Sequence, residues 1–238
     1  MQAGPVSTES RSYSPSVRAV ILDYGKVLAR CPTVEEFGRM AKMFNVSFES
    51  FLELWESSRN LYDRGDITAD EYWLRLAAKT DTSLDPEQIK ILRQVEVEIW
   101  CHLYPDMLDW LVRLHQTSIK TALLSNMPLD LAAHVRTNCR WMDNFTFTTL
   151  SAEVRLIKPE LAIYEHTLRG LGVAANEALF VDDREPNLQA AQALGIHTLL
   201  FTSVAHFRDD LEALGFPVLP TVTESSEEQT GQETKLQL

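Results

Sequence analysis

Short apolar runs alternate with longer amphipathic segments along most of this chain. Three of the runs share one pattern, in which apolar residues are followed at once by a polar side chain: residues 20–22 before Asp23, residues 122–124 before Ser125, and residues 179–181 before Asp182. Continuous apolar runs of this length are typical of strands buried on both faces of a parallel sheet. We predict two further strands, at residues 197–201 and at residues 145–149.

The segments between the predicted strands have the apolar spacing of helices. They lie at residues 105–116, 159–173 and 187–196, with Pro159 near the start and Gly170 near the end of the second, and Gly195 at the end of the third. Alternating strands and helices predict an α/β fold with a doubly wound parallel sheet, a Rossmann-like core. Ligands of such folds bind at the carboxyl ends of the strands, where the polar residues of the three motifs would lie.

The first crossover is much longer than a parallel sheet requires. About a hundred residues separate Asp23 from Ser125, whereas a crossover needs only a dozen or so residues plus its helix. The excess, residues 31–104, has helical spacing of its own, and Thr33 and Glu36 open one of its segments at the spacing of a capping box. We therefore predict an inserted helical cap that hangs over the carboxyl-end crevice as a lid.

Composition places the chain among folded proteins and excludes some functions. Hydrophobic residues make up 45% and charged residues 24% of its 238 positions, enough to bury a core. The net charge of −12 argues against binding to a nucleic-acid backbone, which requires clustered lysine and arginine. No apolar run reaches the length of a membrane span. The three cysteines are widely separated and are interpreted as reduced thiols, so we expect a cytoplasmic protein.

The two ends of the chain differ in composition from the rest. Residues 1–16 are rich in serine and carry no apolar signal segment, and residues 221–238 are polar and acidic, so we expect two disordered tails. The predicted domains are therefore an α/β core, made of residues 17–30 and 105–220, and a helical cap at residues 31–104.

Four short motifs follow one another at spacings that fit a single sheet. They are Asp23 after the first strand, Ser125 and Asn126 after the second long apolar run, Lys158 just before a helix, and Asp182 with Asp183 after a later strand. In this order, and with a helical insertion after the first strand, they resemble the haloacid dehalogenase-like hydrolase superfamily, in its branch with a helical cap. The resemblance covers about residues 17–216. Each motif alone is common, and the ordered set is what makes the resemblance specific.

The resemblance implies phosphatase chemistry on a small phosphorylated substrate. Asp23 and Lys158 would be the catalytic residues, with Asp23 attacking phosphorus to give an aspartyl-phosphate that water then hydrolyses. Ser125, Asn126 and Lys158 would bind the phosphoryl oxygens as negative charge develops on them. We expect no nucleic-acid or membrane partner, and the sequence leaves the oligomeric state open.

A cation is implied at the same crevice. Three carboxylates that converge repel one another, and a divalent cation relieves this repulsion; a site of few hard oxygen ligands suits Mg²⁺. The resemblance implies that Asp23, the carbonyl of Gly25 and Asp182 hold the metal. Asp183 would orient a metal-bound water or the lysine, and Asn187 would brace the loop.

The first motif departs from the commonest form in the superfamily. Phosphatases of the superfamily usually carry a second aspartate two residues after the first, where it protonates the leaving group, and this chain has Gly25 there. General acid catalysis typically contributes about 10²–10⁴-fold. The variant Asp-x-Gly-x-Val-Leu resembles a subgroup that includes sugar-phosphate phosphatases, so a sugar phosphate is one candidate substrate. Whether Lys26 replaces the missing acid is left open.

Two other functions compete with the phosphatase. A dehalogenase-type hydrolase needs no general acid, but it also needs no metal, so the Asp182 and Asp183 pair speaks against it. The missing acid also fits a catalytically weak member of the superfamily, retained as a binding or scaffolding protein. Activity in EDTA favours the dehalogenase, and binding of a phosphate analogue without turnover favours the scaffold.

Overall fold

The computed structural model describes residues 17–214 of the chain. The predicted tails at residues 1–16 and 221–238, and the end of the predicted core at residues 215–220, lie outside the described residues. Within the described part, no helix is both long enough and apolar enough to cross a membrane.

Five parallel strands form one sheet. They are β1 (Ala19–Leu22), β2 (Lys120–Ser125), β3 (Phe147–Leu150), β4 (Ala178–Asp182) and β5 (His197–Leu200). Their order across the sheet is β3-β2-β1-β4-β5, and every neighbouring pair is parallel. β1 therefore lies at the centre, with all four of its residues buried, as expected for a strand covered on both faces. The predicted α/β fold with a doubly wound parallel sheet is confirmed.

Helices cover both faces of the sheet. The core helices are α6 (Pro105–His115), α7 (Leu129–Asn138), α8 (Ser151–Val154), α9 (Leu161–Leu171), α10 (Glu185–Ala193) and α11 (Val204–Leu214). Apolar residues of α6, α7 and α11 join Val20 and Leu22 in one core cluster. Residues of α9 and α10 join Ala19 and Ile21 in a second cluster. The alternation of side chains along β1 thus divides the core between the two faces.

The helix predicted within residues 159–173 is α9, which spans Leu161–Leu171, so Gly170 lies near its end as predicted. Gly170 is packed against the ring of Phe147, where a Cβ atom would stand 2.2 Å from Cζ. The helix is capped by Gly172, whose φ of 63° is the left-handed conformation that glycine adopts without steric cost. Gly170 is therefore required by a close contact and not by a turn.

Five helices follow β1 and pack around a cluster of their own. They are α1 (Val34–Ala41), α2 (Phe48–Ser57), α3 (Arg59–Asp63), α4 (Ala69–Lys79) and α5 (Pro86–Ile99), which we call the cap helices. The buried members of their cluster include Phe44, Phe51 and Trp73. The predicted capping box between Thr33 and Glu36 is present. The sequence therefore encodes these helix starts locally, before any tertiary packing.

The chain enters and leaves the cap helices through two paired segments. Ala29 and Leu103 form an antiparallel bridge, the backbone N–H of Arg30 donates to the carbonyl of His102 (2.7 Å), and the N–H of Tyr104 donates to the carbonyl of Leu28 (2.8 Å). We call this pairing the linker ladder. It fixes the start and the end of the inserted segment to each other.

Side-chain contacts also join the cap helices to the core. Arg64 forms a two-pronged ion pair with Glu160, with Nη1 at 2.9 Å from Oε2. Arg93 of α5 similarly pairs with Asp130 of α7, with Nε at 2.7 Å from Oδ2. Arg64 thus links the cap helices to the core through Glu160.

Candidate active site

The ends of the two central strands bring Asp23 and Asp182 side by side. β1 and β4 are paired in register from Ala19 with Ala178 to Leu22 with Val181. The residues that follow these pairs, Asp23 and Asp182, are therefore neighbours. The backbone N–H of Asp23 continues this pairing by donating to the carbonyl of Val181 at 3.0 Å. Ser125 is the last residue of β2 on the other side of β1 and is buried. Strand register therefore gathers the predicted residues at one edge.

Lys158 bridges the two aspartates. Its Nζ lies 2.8 Å from Asp23 Oδ1 and 2.7 Å from Asp182 Oδ2, and its side chain is only 1% exposed. Burial alone would lower the pKa of this lysine, but the two carboxylates outweigh that effect and raise the pKa above its usual value. Lys158 therefore stays protonated at neutral pH and supplies a fixed positive charge.

Asp23 is a buried carboxyl group with an elevated pKa. Burial is the largest of the effects that together raise its pKa from 3.8 to about 7; Lys158 lowers the pKa, and Asp182 and Asp183 raise it. The backbone N–H of Tyr24 donates to Asp23 Oδ1 at 2.7 Å. One lysine is thus too little positive charge for three neighbouring carboxylates, and the site favours an additional cation.

Three carboxylates are close enough to share one cation. Asp23, Asp182 and Asp183 each offer an oxygen, and these atoms lie within 4.8 Å of one another. An all-oxygen, carboxylate-rich set is the donor chemistry that Mg²⁺ prefers. Gly25, whose carbonyl was predicted as a further ligand, lines the same cavity. The residues present therefore fit a hard divalent cation.

Asp182 is held from behind by a set of hydrogen bonds. Asn187 Nδ2 donates to both carboxylate oxygens, each at 3.0 Å, and the backbone N–H of Arg184 donates to Oδ1 at 2.8 Å. Asn187 is in turn fixed by the Tyr164 hydroxyl, which donates to its carbonyl at 2.9 Å. These contacts fix the orientation of the Asp182 carboxylate.

Asn126 contacts the backbone of Lys158. The N–H of Lys158 donates to Asn126 Oδ1 (2.8 Å), and Asn126 Nδ2 donates to the carbonyl of Lys158 (3.0 Å). The side-chain amide therefore positions the loop that carries the lysine. Its predicted contact with phosphate stays a prediction.

The position of the missing acid is covered by an aromatic ring. A Cβ atom on Gly25 would stand 3.4 Å from Cζ3 of Trp100, the residue that follows α5. The Tyr24 hydroxyl donates to the carbonyl of Trp100 at 2.6 Å and anchors this residue. Lys26, the candidate substitute for the missing acid, has a φ of 62°. Its Nζ lies 3.6 Å from Asp183 Oδ2, and because its side chain is 45% exposed, this ion pair contributes little to stability.

A cavity of about 640 Å³ opens between the core and the cap helices. Asp23, Ser125 and Lys158 lie on its core side, and Trp55, Arg59 and Trp100 lie on its cap side. Arg59 and Trp100 were not among the predicted site residues. Arg59 bonds to Asp63 and Glu96 and stacks on the ring of Trp55 at 4.3 Å, and these carboxylates raise its pKa well above the usual value although burial alone would lower it.

The fold and the site together define a class of protein: a Rossmann-like hydrolase whose strand-end carboxylates face a helical insertion. The chain belongs to the haloacid dehalogenase-like hydrolase family, which matches residues 7–195. The family assignment made from the ordered motifs is therefore confirmed. The subgroup suggested by Gly25 stays a prediction.

Individual relatives include several phosphatases. The chain is 29% identical to the sesquiterpene phosphatase astK of Aspergillus oryzae over 187 residues, which cover 78% of this chain and 90% of that protein. It is 28% identical to the phosphoglycolate phosphatase of Yersinia pseudotuberculosis over 165 residues, 63% of this chain and 69% of that protein. Other relatives are longer: the match spans 22% of the bifunctional epoxide hydrolase 2 of Mus musculus.

Solved structures share the fold. A HAD family enzyme from Bacteroides thetaiotaomicron, in complex with magnesium and inorganic phosphate, is 25% identical and superposes with a TM-score of 0.62, covering 78% of this chain and 94% of that one. An L-2-haloacid dehalogenase from Xanthobacter autotrophicus superposes with a TM-score of 0.61 at 19% identity, over 86% of this chain and 85% of that one, and shows the fold alone.

Proposed function

We propose that this protein is a Mg²⁺-dependent phosphatase that hydrolyses a small phosphorylated metabolite through an aspartyl-phosphate on Asp23. The observation that carries the proposal is the placement of Asp23 on the cavity wall, 2.8 Å from the buried ammonium of Lys158. A nucleophile beside a fixed positive charge can attack an anionic phosphorus centre, because the cation compensates the repulsion between the two anions.

The reaction proceeds in two displacements. An ionised oxygen of Asp23 forms a bond to phosphorus while the bond from phosphorus to the leaving oxygen breaks, and the leaving oxygen takes a proton from water. A second water then attacks the aspartyl-phosphate, which releases inorganic phosphate and regenerates Asp23. Lys158 and the Ser125 hydroxyl hold the phosphoryl oxygens in both steps, and Asn126 keeps the loop of Lys158 in place.

The negative charges of the carboxylates repel the phosphate of the substrate and have to be neutralised. Asp23, Asp182 and the carbonyl of Gly25 would hold Mg²⁺, with Asp183 orienting a water beside them. When bound, this ion would neutralise the carboxylate cluster and so keep Asp23 ionised at neutral pH. Asn187 holds Asp182 in the orientation that this arrangement requires.

The relatives support phosphatase chemistry over the two alternatives. Two of them are named for the phosphatase reactions of a sesquiterpene and of phosphoglycolate. A dehalogenase needs no metal, and its resemblance here extends to the fold alone. The charge of the buried Lys158 is compensated by Asp23 and Asp182, so turnover, and not this side chain, separates the enzyme from a scaffold.

The proposal is tested by phosphate release from a panel of phosphate esters in Mg²⁺ and in EDTA. We expect release that requires Mg²⁺ and falls by at least about 10³-fold in Asp23→Asn, because no other group replaces the nucleophile. The matched control is Asp109→Asn, which makes the same change at an exposed aspartate of α6. Equal activity in EDTA would favour the dehalogenase, and phosphate binding without turnover would favour the scaffold.

A further inference from the structure

One wall of the cavity is built from apolar side chains. On α2, Phe48, Leu52 and Trp55 recur at intervals of four and three residues and so share one helix face, and all three line the cavity. Phe37 of α1 packs edge-on against Trp55, with ring centroids 5.2 Å apart. We call Phe37, Phe48, Leu52, Trp55 and Trp100 the apolar arc.

The apolar arc reaches the reacting group. Trp100 covers Gly25, two residues from the nucleophile, and its ring lies 6.5 Å from that of Trp55, nearly parallel to it. The arc therefore runs without interruption from the position beside Asp23 to the face of α2. Atoms bonded to the leaving oxygen of a bound ester would meet aromatic carbon first.

The charged groups at the cavity do not offer a second anion site on the cap side. Among the described lining residues, Arg59 is bonded to Asp63 and Glu96, and Lys26 faces Asp183. Arg184 lies on the core side at the exposed mouth. A substrate with a carboxylate or a second phosphate next to its ester would have to compete with the ion pairs of Arg59 and Lys26, or place that group at Arg184 on the core side.

A sugar would also fit this wall poorly. Its hydroxyl groups would leave water and face carbon along the apolar arc, and a polar group buried without a hydrogen bond loses binding free energy. Carbon chains gain from the same surface, because each buried methylene lowers the dissociation constant about three- to fourfold. The cavity volume of about 640 Å³ is within the range that binds whole organic ligands.

We propose that the organic part of the substrate is an apolar hydrocarbon group, and that the apolar arc binds it while Asp23 and Lys158 face its phosphate. This inference rests on the proposed phosphatase function. It favours a hydrophobic phosphate monoester over the sugar phosphate that the Asp-x-Gly motif suggested.

The test is a homologous series of ethyl, butyl, hexyl and octyl phosphate, assayed with Mg²⁺ beside glucose 6-phosphate and phosphoglycolate. We expect KM to fall about threefold per added methylene until the cavity is filled, with kcat changing far less. The two polar esters should have the lowest kcat/KM. No dependence on chain length, with ethyl phosphate hydrolysed, would overturn the inference and leave the phosphatase function standing.

Two variants locate the effect. Leu52→Asn should reduce the octyl-to-ethyl ratio of kcat/KM at least tenfold, whereas Leu74→Asn, at an exposed leucine of α4, should leave it unchanged. If phosphoglycolate is instead the best substrate and Arg184→Gln removes that preference, the apolar assignment is wrong. Equal ratios in the two leucine variants also contradict it.

The absence of hydrolysis of any ester would refute the phosphatase function. A binding experiment tests the inference about the apolar group even in that case. Octylphosphonate and ethylphosphonate are titrated against the full chain with Mg²⁺, and binding is followed by the fluorescence of the cavity tryptophans. Octylphosphonate should bind at least tenfold more tightly. Equal affinities would overturn the inference, whatever the activity.

Discussion

The indole ring of Trp100 lies 3.4 Å from the point at which a Cβ atom of Gly25 would stand. A distance of this size is an ordinary van der Waals contact, so a methyl group fits there and a longer side chain has to compete with the ring. The Trp100 ring therefore fills the space that an aspartate side chain at position 25 would need. Trp100, which directly follows the last cap helix, supplies aromatic carbon where a general acid would otherwise be.

Gly25→Asp should not create a general acid by itself. The new carboxylate has to compete with the Trp100 ring for space and faces aromatic carbon, which offers it no hydrogen bond, so we expect kcat/KM for alkyl phosphates to fall at least about tenfold. In the double variant Gly25→Asp with Trp100→Ala, the carboxylate has room and should raise kcat for alkyl phosphates relative to aryl phosphates. General acid help of about 10²–10⁴-fold sets the upper limit of this gain.

The control for this experiment is Gly25→Ala. It adds only the Cβ atom, at a distance the ring tolerates, so the thermal midpoint and the Mg²⁺ dependence should be retained. Faster turnover of alkyl phosphates in Gly25→Asp alone would show that Trp100 does not compete for this place.

Lys158→Met should lower the free energy of unfolding in EDTA. The change removes the ammonium that lies between Asp23 and Asp182, and breaking a buried ion pair by deleting one partner typically costs about 3–5 kcal/mol. Urea unfolding measures this loss, and Mg²⁺ should restore part of it by replacing the missing charge. Lys90→Met, at an exposed lysine, should change the midpoint little. A midpoint as insensitive in Lys158→Met would contradict the pairing.

Asp23 should make stability depend on pH in the absence of Mg²⁺. Its pKa is raised by burial from 3.8 to about 7, so the folded protein holds this proton more tightly than the unfolded chain. The contribution to stability is present in full below pH 3.8 and is lost as the pH rises through about 7. Asp23→Asn does not titrate, so its free energy of unfolding relative to wild type should increase over this interval, by a few kcal/mol in order of magnitude.

Mg²⁺ should reverse this trend. Metal ligands bind in their ionised form, so the rise of the thermal midpoint on adding Mg²⁺ should be larger at about pH 8 than at about pH 5. Thermal scans of wild type and Asp23→Asn in Mg²⁺ and in EDTA measure both effects. A midpoint shift that does not depend on pH would exclude Asp23 as a ligand.

Gly65→Ala should weaken the seating of the cap helices. A Cβ atom there would stand 2.7 Å from the carbonyl oxygen of Ala152 in α8, and its φ of +79° is one that alanine adopts only with strain. We expect a loss of about 1–3 kcal/mol in the free energy of unfolding. Gly38→Ala is the matched control, because beyond its own helix backbone no atom lies within 4 Å of its Cβ position in α1, and it should stabilise by about 0.5–1 kcal/mol.

Local sequence predicted those parts of the site that strand ends determine. Asp23, Ser125 and Asp182 each follow a buried apolar run, and parallel pairing alone brings such positions to one edge. The start of α1 was also predictable, because the capping box between Thr33 and Glu36 is a local hydrogen-bond pattern.

The cap side of the cavity could not be predicted in the same way. Trp100 and Gly25 are far apart in sequence and meet only because the cap helices fold back onto the core, and nothing near Trp100 in sequence marks that contact. Arg59 is similar, since its partner Glu96 comes from a different helix. Trp55 belongs to the buried cluster of the cap helices, yet the same ring also lines the cavity.

Both chain connections between the cap helices and the core pass through the linker ladder, so they act as one hinge and not as two separate ones. The two connecting segments are hydrogen-bonded to each other between Leu28 and Tyr104, so a rotation of the cap helices away from the core would take place about this ladder and would break the ion pairs of Arg64 and Arg93. Trp100 is close in sequence to the ladder and would be displaced little by such a rotation, whereas α2 would move with the cap helices. The substrate atoms nearest phosphorus would therefore contact Trp100, whose position changes little. Only the far end of the organic part would depend on the movement of α2 for entry.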